Sequence, residues 1–149
     1  MFEVRTAWDA YRASDAVPDL LEQQMERDLA ALGNAADGKK AVDLALRVAQ
    51  NVTDLRLRYE PLPTVDRDRL ALWTRQLTID AKAENEGAVA GDVTSLQLVW
   101  DRVRLEAQGA ASVDTHLKKL RAAADAGDMA QVQRLASELA QRVAGLNAS

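Results

Sequence analysis

The 149-residue sequence lacks cysteine and contains only three prolines and few aromatic residues. Without cysteine, disulfides, thiolate metal ligands and a cysteine nucleophile are excluded. Because aromatic residues make up 4% of the chain, we expect a core built from aliphatic residues and alanine. No apolar run reaches the roughly 20 residues that a membrane-spanning helix needs, so no transmembrane segment is expected in this chain.

Charge of one sign is not concentrated into a long tract. The formal net charge is −4, and the lack of a basic run argues against a nucleic-acid partner. Residues 2–37 contain three basic and eight acidic side chains, whereas residues 38–75 contain eight basic and five acidic ones. We expect these segments to complement each other within the molecule. The alternative is that the basic segment docks an acidic partner.

The first residues, MFEVRTAWDAY, do not resemble a signal peptide. Glu3, Arg5 and Asp9 fall where a signal peptide needs an apolar stretch. We therefore expect a cytoplasmic protein, or an extracytoplasmic one if a signal or anchor has been removed from a longer chain.

Residues that favour helices fill the sequence. Alanine and leucine are the commonest residues, and alternating β-branched runs are absent, so a sheet is not expected. We predict an all-α fold, an antiparallel helical bundle of four to five helices that forms a single helical domain over residues 1–149. Two helical hairpins, at about 15–59 and about 112–147, flank one long central helix at about 65–108.

Prolines and a glycine delimit the helices of the first hairpin. Pro18 either begins a new helix or kinks a longer first one. Gly33 and Asn34 are typical of a helix end, and the next helix runs from about Asp37 to Tyr59. The spacing of its apolar residues predicts a buried stripe made of Ala41, Ala45, Val48, Val52, Leu55 and Tyr59.

The segment ENEGAVAGD decides whether the central helix is continuous. Gly87 and Gly91 could break it, yet a stripe of residues with three-or-four spacing continues from residue 70 to residue 99 and includes Gly91. We predict a continuous helix with Gly91 on its packed face. On such a helix Asp80 and Glu84 lie four residues apart on the same side.

Asp80 and Glu84 are weak candidates for a metal site. Carboxylates on facing helices of a bundle can hold iron, manganese or other hard metals. The di-iron pattern also needs Glu-x-x-His on two helices, and the sequence has no such motif. We therefore favour structural ion pairs over a metal site and expect no cofactor.

His116, Met25 and Met129 have structural explanations. A single histidine cannot build a histidine-rich zinc site, and we expect His116 to be a partly exposed helix residue. Packing explains the two methionines better than haem ligation does. No motif places a nucleophile beside a base, so we predict that the protein is not an enzyme.

A cluster of basic residues surrounds the proline-rich turn after the second helix. It could form a partner-binding surface with a tyrosine as its anchor. Acidic residues are interleaved with it, so a salt-bridged turn is the alternative. The members of the cluster are Arg56, Arg58, Tyr59, Arg67 and Arg69.

Residues 120–146 repeat the pattern of residues 29–55. The two segments align without a gap and match at ten positions, which include Asp37 and Asp128 at the break between helices. Shared ancestry and convergence of helical hairpins both explain the match. No such period persists along the chain, so a regular solenoid is rejected.

These patterns favour a non-enzymatic helical-bundle module that binds a protein partner or a small ligand. Such a module could be the soluble part of an exported or membrane-anchored bacterial protein. The alternative is a metal- or cofactor-binding helical bundle that uses Asp80 and Glu84.

Overall fold

The computed structural model describes residues 2–105, 107 and 109–146, apart from the side chains of Phe2 and Leu146. This part of the chain is all-helical and has no strand, which confirms the predicted fold class. It forms seven helices, more than the four to five predicted. They are α1 Phe2–Ser14, α2 Asp19–Gly33, α3 Gly38–Arg56, α4 Leu62–Lys82, α5 Glu86–Val103, α6 Ala110–Asp125 and α7 Met129–Leu146.

Contacts between residues divide the chain into two compact units, Met1–Tyr59 and Glu60–Ser149. The first unit contains α1 to α3, and the second contains α4 to α7. The prediction of one domain over residues 1–149 stays a prediction, because a grouping of contacts does not measure whether the units unfold together.

In the first unit, α2 packs against α3, and the helix ends on either side of the turn between them are capped by residues that the sequence indicates. The side chain of Asn34 donates to the carbonyl oxygen of Ala30 over 2.9 Å at the end of α2. At the start of α3, the carboxylate of Asp37 accepts from the backbone N–H of Lys39 over 3.0 Å. These bonds satisfy backbone groups that a helix end leaves without partners. Pro18 precedes α2, so the chain breaks there instead of kinking.

One carboxylate joins α1 to α2. Glu26 accepts from Trp8 Nε1 over 2.8 Å, from Arg5 over 2.7 Å and from Arg12 over 2.9 Å. The hydrogen bond from Trp8, with the nearby charge of Arg5, outweighs partial burial and lowers the pKa of Glu26. The apolar residues beneath this junction are the core of the unit, namely Trp8, Met25, Leu29, Val48 and Leu55.

The second unit is a four-helix arrangement. α4 packs against α5 and α7, and α6 packs against the same two helices. The largest fully buried side chains of this unit include Leu77, Leu96, Trp100, Leu120 and Leu139. The indole N–H of Trp100 is also paired, since it donates to Asp114 over 2.6 Å.

The long central helix is not continuous, which corrects the prediction. α4 ends at Lys82 and α5 begins at Glu86. Glu84 adopts a left-handed backbone (φ 53°), and the N–H groups of Glu84 and Asn85 bond to carbonyl oxygens in the last turn of α4. This is the hydrogen-bond pattern of a Schellman motif. The side chain of Asn85 then caps α5 by accepting from the N–H of Ala88.

Neither glycine of the ENEGAVAGD segment causes the break. Both Gly87 and Gly91 lie inside α5, and Gly91 is exposed. A Cβ atom added at Gly91 would have nothing within 4 Å, so the expected packed position is wrong. The apolar spacing misled the prediction because α4 and α5 each have a buried face, and the two patterns join across the turn.

The turn between α6 and α7 uses the same motif with glycine at its centre. Gly127 has a φ of 67°, and the N–H of Asp128 bonds to the carbonyl oxygen of Ala123 over 3.0 Å. Asp128 then accepts from the backbone N–H of Gln131 over 2.9 Å. Asp37 and Asp128 therefore each cap the second helix of their segment, and shared ancestry and convergence both account for this.

In the described part of the chain, each helix is too short or too polar to cross a membrane.

Candidate functional site

The first unit contains an apolar cavity of about 350 Å³. This volume lies within the range of small-molecule pockets, which are mostly apolar with a few polar groups at defined places. Six aliphatic or methionine side chains, three aromatic ones and one arginine line it. The lining residues are Val4, Ala7, Trp8, Tyr11, Met25, Val48, Val52, Leu55, Arg56 and Tyr59.

Two helical stripes form the walls of this cavity. The residues from α3 and the turn after it follow the predicted three-or-four spacing, and those from α1 share it. Met25 of α2 is buried between them. No facing helix covers the whole of the α3 stripe, since Val52 is 43% exposed and Tyr59 is 60% exposed. The space left by these side chains is the cavity.

Hydrogen bonds hold the tyrosine edge of the cavity in place. The hydroxyls of Tyr11 and Tyr59 lie 3.0 Å apart. Arg58 donates to the Tyr11 hydroxyl over 2.8 Å, to Asp15 over 3.2 Å and to the carbonyl oxygen of Ala16 over 2.8 Å. Its guanidinium also lies 5.4 Å from the centre of the Tyr59 ring, within the range of a cation–π contact.

The predicted basic cluster is divided between the two units. Arg56, Arg58 and Tyr59 belong to the first unit, where Arg56 and Tyr59 line the cavity and Arg58 holds its edge. Arg67 and Arg69 belong to α4 of the second unit. The ion pair between Arg58 and Asp15 is one example of the expected pairing between the acidic segment 2–37 and the basic segment 38–75.

Arg69 takes part in a buried ion pair. Asp66 is fully buried and accepts from Arg69 over 2.9 Å and from Arg102 over 2.6 Å and 3.0 Å. Burial by itself raises the pKa of Asp66, but the bonds from Arg102 and Arg69 outweigh it and hold the pKa below its ordinary value. The bond to Arg102, which joins α4 to α5, was not predicted, because no local sequence pattern indicates a contact between these two helices.

Asp80 and Glu84 do not share a helix face, contrary to the expectation. Glu84 lies beyond the end of α4 with a left-handed backbone, whereas Asp80 lies within α4 and accepts from Gln76 over 2.7 Å. No group of three or more residues suited to hold a metal ion occurs among the described residues.

A different residue, Asp92 of α5, interacts with Asp80. Asp92 is 5% exposed, and its Oδ2 atom has no hydrogen-bond partner in the described structure. Burial, followed by the charge of Asp80, raises the pKa of Asp92 to about 8. Asp92 therefore holds a proton at neutral pH. This contact was not predicted from the sequence, because the turn at Glu84 determines which residue of α5 faces Asp80.

His116 is buried, which corrects the expectation that it is partly exposed. Its Nε2 atom lies 2.7 Å from the carbonyl oxygen of Leu135 and donates to it, since a carbonyl can only accept. Met25 and Met129 are buried in the cores of different units, where packing accounts for both.

A second cavity of the first unit, about 230 Å³, lies on the α2–α3 hairpin and is polar. Asp28 and Asn51 are both buried there, and Asn51 donates to Asp28 over 2.9 Å. Such a bond meets the requirement that buried polar groups be paired. The lining includes Gln24, Arg27, Arg47, Gln50 and Asp54 in addition to this pair.

Comparison with known proteins found no match: no family model, no curated protein and no solved structure matches the chain.

Proposed function

We propose that the protein is a non-enzymatic helical binding module and that the apolar cavity of the first unit takes a small apolar molecule. The observation that carries this proposal is an open cavity of about 350 Å³ whose walls are aliphatic and aromatic. Exposed apolar surface that is contiguous and concave is characteristic of ligand sites. A second protein is the other occupant that such a surface accepts.

The chemistry of the lining supports binding over catalysis. Its ten residues comprise apolar side chains, two tyrosines and one arginine, and none of the ten is a carboxylate, histidine or serine. General acid–base catalysis near neutral pH relies most often on histidine or carboxylates. The lining instead supplies surface from which a ligand excludes water.

A series of linear alcohols tests the proposal. We expect hexanol, heptanol and octanol to bind with affinities that rise about fourfold per methylene, the gain for moving one methylene out of water. Calorimetric titration measures the three affinities. The absence of binding across the series, or affinities independent of chain length, would contradict the proposal.

A matched pair of variants locates the binding. Val52 and Val42 are both on α3 and about equally exposed, but Val52 lines the cavity and Val42 does not. Val52→Trp should fill the cavity and abolish octanol binding, whereas Val42→Trp should leave it unchanged. Equal binding to both variants would place the alcohols elsewhere on the protein.

The alternative of a metal-binding bundle has less support. It relied on Asp80 and Glu84 lying on one helix face, and the turn at Glu84 separates them. Elemental analysis of the purified protein tests it directly, and stoichiometric iron, manganese or zinc that is lost in the Asp80→Asn variant would restore it.

A further inference from the structure

We infer that the polar cavity between α2 and α3 is a second ligand site and that it binds a small zwitterion, such as a free amino acid. This inference goes beyond the proposed function, because the polar cavity and the apolar cavity share no lining residue. It follows from a buried carboxylate, that of Asp28, and a guanidinium, that of Arg47, which line the same cavity.

Asp28 presents one carboxylate oxygen to which no neighbour donates a hydrogen bond. The residue is 5% exposed, and its Oδ2 atom accepts from Asn51 over 2.9 Å. In the described structure its Oδ1 atom lies 3.9 Å from Arg27 Nε, which is too long for a hydrogen bond. Because each oxygen of an ionised carboxylate is an acceptor, Oδ1 can accept from a ligand. An ammonium group would form a charge-assisted hydrogen bond with it.

The position of Asp28 is a costly one for a charge. It lies three residues after Met25, which belongs to the core of the first unit, and it bonds across to Asn51 of α3. A buried carboxylate whose oxygens are not both paired costs free energy that an apolar side chain in its place would not. An ammonium group that pairs with Oδ1 offsets part of this cost, and that gain contributes to binding.

Arg47 supplies the charge for the other end of the ligand. It lies one helical turn before Asn51, and side chains at this spacing leave the same face of a helix with their Cβ atoms about 5–6 Å apart. The Arg47 side chain is exposed, and none of the described residues forms a hydrogen bond or an ion pair with it. A guanidinium can bind a carboxylate through two parallel hydrogen bonds. An α-amino acid carries its ammonium and its carboxylate on one carbon atom, which suits partners about one helical turn apart.

The rest of the lining favours a polar ligand without net charge. Two arginines and two aspartates line the cavity, so their formal charges sum to zero. A ligand with a single charge therefore meets repulsion as well as attraction, and a zwitterion can match both signs. The side-chain amides of Gln24 and Gln50 also line the cavity, and an amide both donates and accepts. They suit an amino acid whose own side chain is polar, such as glutamine.

Three forms of one amino acid test the inference with the intact protein. Calorimetric titration at pH 6.5, where an α-amino group is protonated, compares L-glutamine with two analogues. L-Glutaminamide lacks the carboxylate, and N-acetyl-L-glutamine lacks the ammonium group. We expect L-glutamine to bind at least about tenfold more tightly than either analogue, which is the scale of one hydrogen bond to a charged group.

Variants assign the two charges to their residues. Asp28→Asn keeps an acceptor for Asn51 but removes the charge, so L-glutamine and N-acetyl-L-glutamine should bind equally to it. Arg47→Gln should make L-glutamine and L-glutaminamide bind equally. Lys40→Gln removes the same charge from α3 outside the cavity, so it is the matched control and should keep the wild-type affinities. Lys40 and Arg47 are exposed, so these two variants decide the matter even if Asp28→Asn does not fold.

The outcomes separate this inference from the proposed function. If L-glutamine does not bind, or binds no more tightly than its analogues, the zwitterion site is wrong and the apolar cavity is unaffected. An Arg47→Gln variant that still prefers L-glutamine to L-glutaminamide also overturns the inference, and so does a Lys40→Gln variant that loses this preference.

Discussion

The carboxylate of Asp66 is fully buried and accepts two hydrogen bonds from Arg102, the shorter of them 2.6 Å long. Arg69 donates a third bond to it. This ion pair connects α4 to α5 within the second unit. A buried charge that loses its partner is costly, whereas a pair removed as a whole costs less. The stability of the second unit therefore depends on both members being present.

We expect Asp66→Asn to lower the free energy of unfolding by about 3 kcal/mol, because it leaves two guanidinium groups without their carboxylate. Arg102→Gln should cost less, since Arg69 still pairs with Asp66. Because residues in contact are coupled, the double variant should cost less than the sum of the two single ones. Urea denaturation measures the free energy of unfolding of all three variants. If the losses of the two single variants add up to the loss of the double variant, the interaction between Asp66 and Arg102 contributes nothing to stability.

The left-handed backbone at Glu84 gives a second prediction. Glycine adopts this conformation without the steric cost that a side chain adds. We expect Glu84→Gly to raise the free energy of unfolding by up to about 1 kcal/mol, the steric gain being partly offset by the greater freedom of glycine in the unfolded chain. Glu86→Gly is the control, because Glu86 begins α5 and glycine should destabilise it there. A destabilised Glu84→Gly variant would contradict the assigned turn.

Gly91 and Gly127 should respond to alanine in opposite directions. Gly91 is helical, exposed and without neighbours within 4 Å of an added Cβ, so alanine should stabilise the protein by about 0.5–1 kcal/mol. Gly127 has a φ of 67°, so alanine there should cost about 1–2 kcal/mol. Denaturation midpoints compare the two variants. A loss of stability in Gly91→Ala would contradict the exposed helical position of Gly91.

Helices and their caps could be predicted because their signals lie within a few residues of one another. Asn34, Asp37 and Asp128 each bond to a backbone group at most four residues away. The turn at Glu84 was missed because a non-glycine residue at this position is uncommon. The spacing of apolar residues identified the buried faces of both α4 and α5, but it did not show that one helix ends and another begins between them.

The candidate site could be predicted only in part, for a related reason. The prediction of a buried stripe is wrong for Val52 and Tyr59, which are 43% and 60% exposed, and Tyr59 lies beyond the end of α3 at Arg56. Whether a facing helix covers such a stripe depends on packing between helices, which local spacing does not determine. The cavity exists where α1 leaves that stripe uncovered. The pairs Asp66–Arg102 and Asp80–Asp92 each join α4 to α5. They could not be predicted either, because they also depend on packing between helices.

The last prediction concerns the pH dependence that Asp92 imposes on the second unit. Burial, with the charge of Asp80, raises the pKa of Asp92 to about 8 in the folded protein, whereas an unfolded aspartate titrates near about 4. Between about pH 4 and pH 8 the folded state retains a proton that the unfolded state has lost, so this group lowers stability as pH rises through that range. The depressed pKa of Asp66 acts in the opposite direction, since its contribution is lost as pH falls below about 4.

Asp92→Asn isolates the first effect because asparagine resembles the protonated side chain and does not titrate. We expect the free energy of unfolding of the variant to be nearly constant between pH 5 and 8. At pH 8 the variant should be more stable than the wild type by roughly 2 kcal/mol or more, since each unit of pKa shift corresponds to about 1.4 kcal/mol. Near pH 4 the two proteins should be about equally stable. Asp101→Asn, an exposed change on the same helix, is the control and should keep the slope of the wild type. A wild-type protein whose stability does not fall between pH 5 and 8, or an Asp92→Asn variant with an unchanged slope, would show that Asp92 is ionised in the folded state.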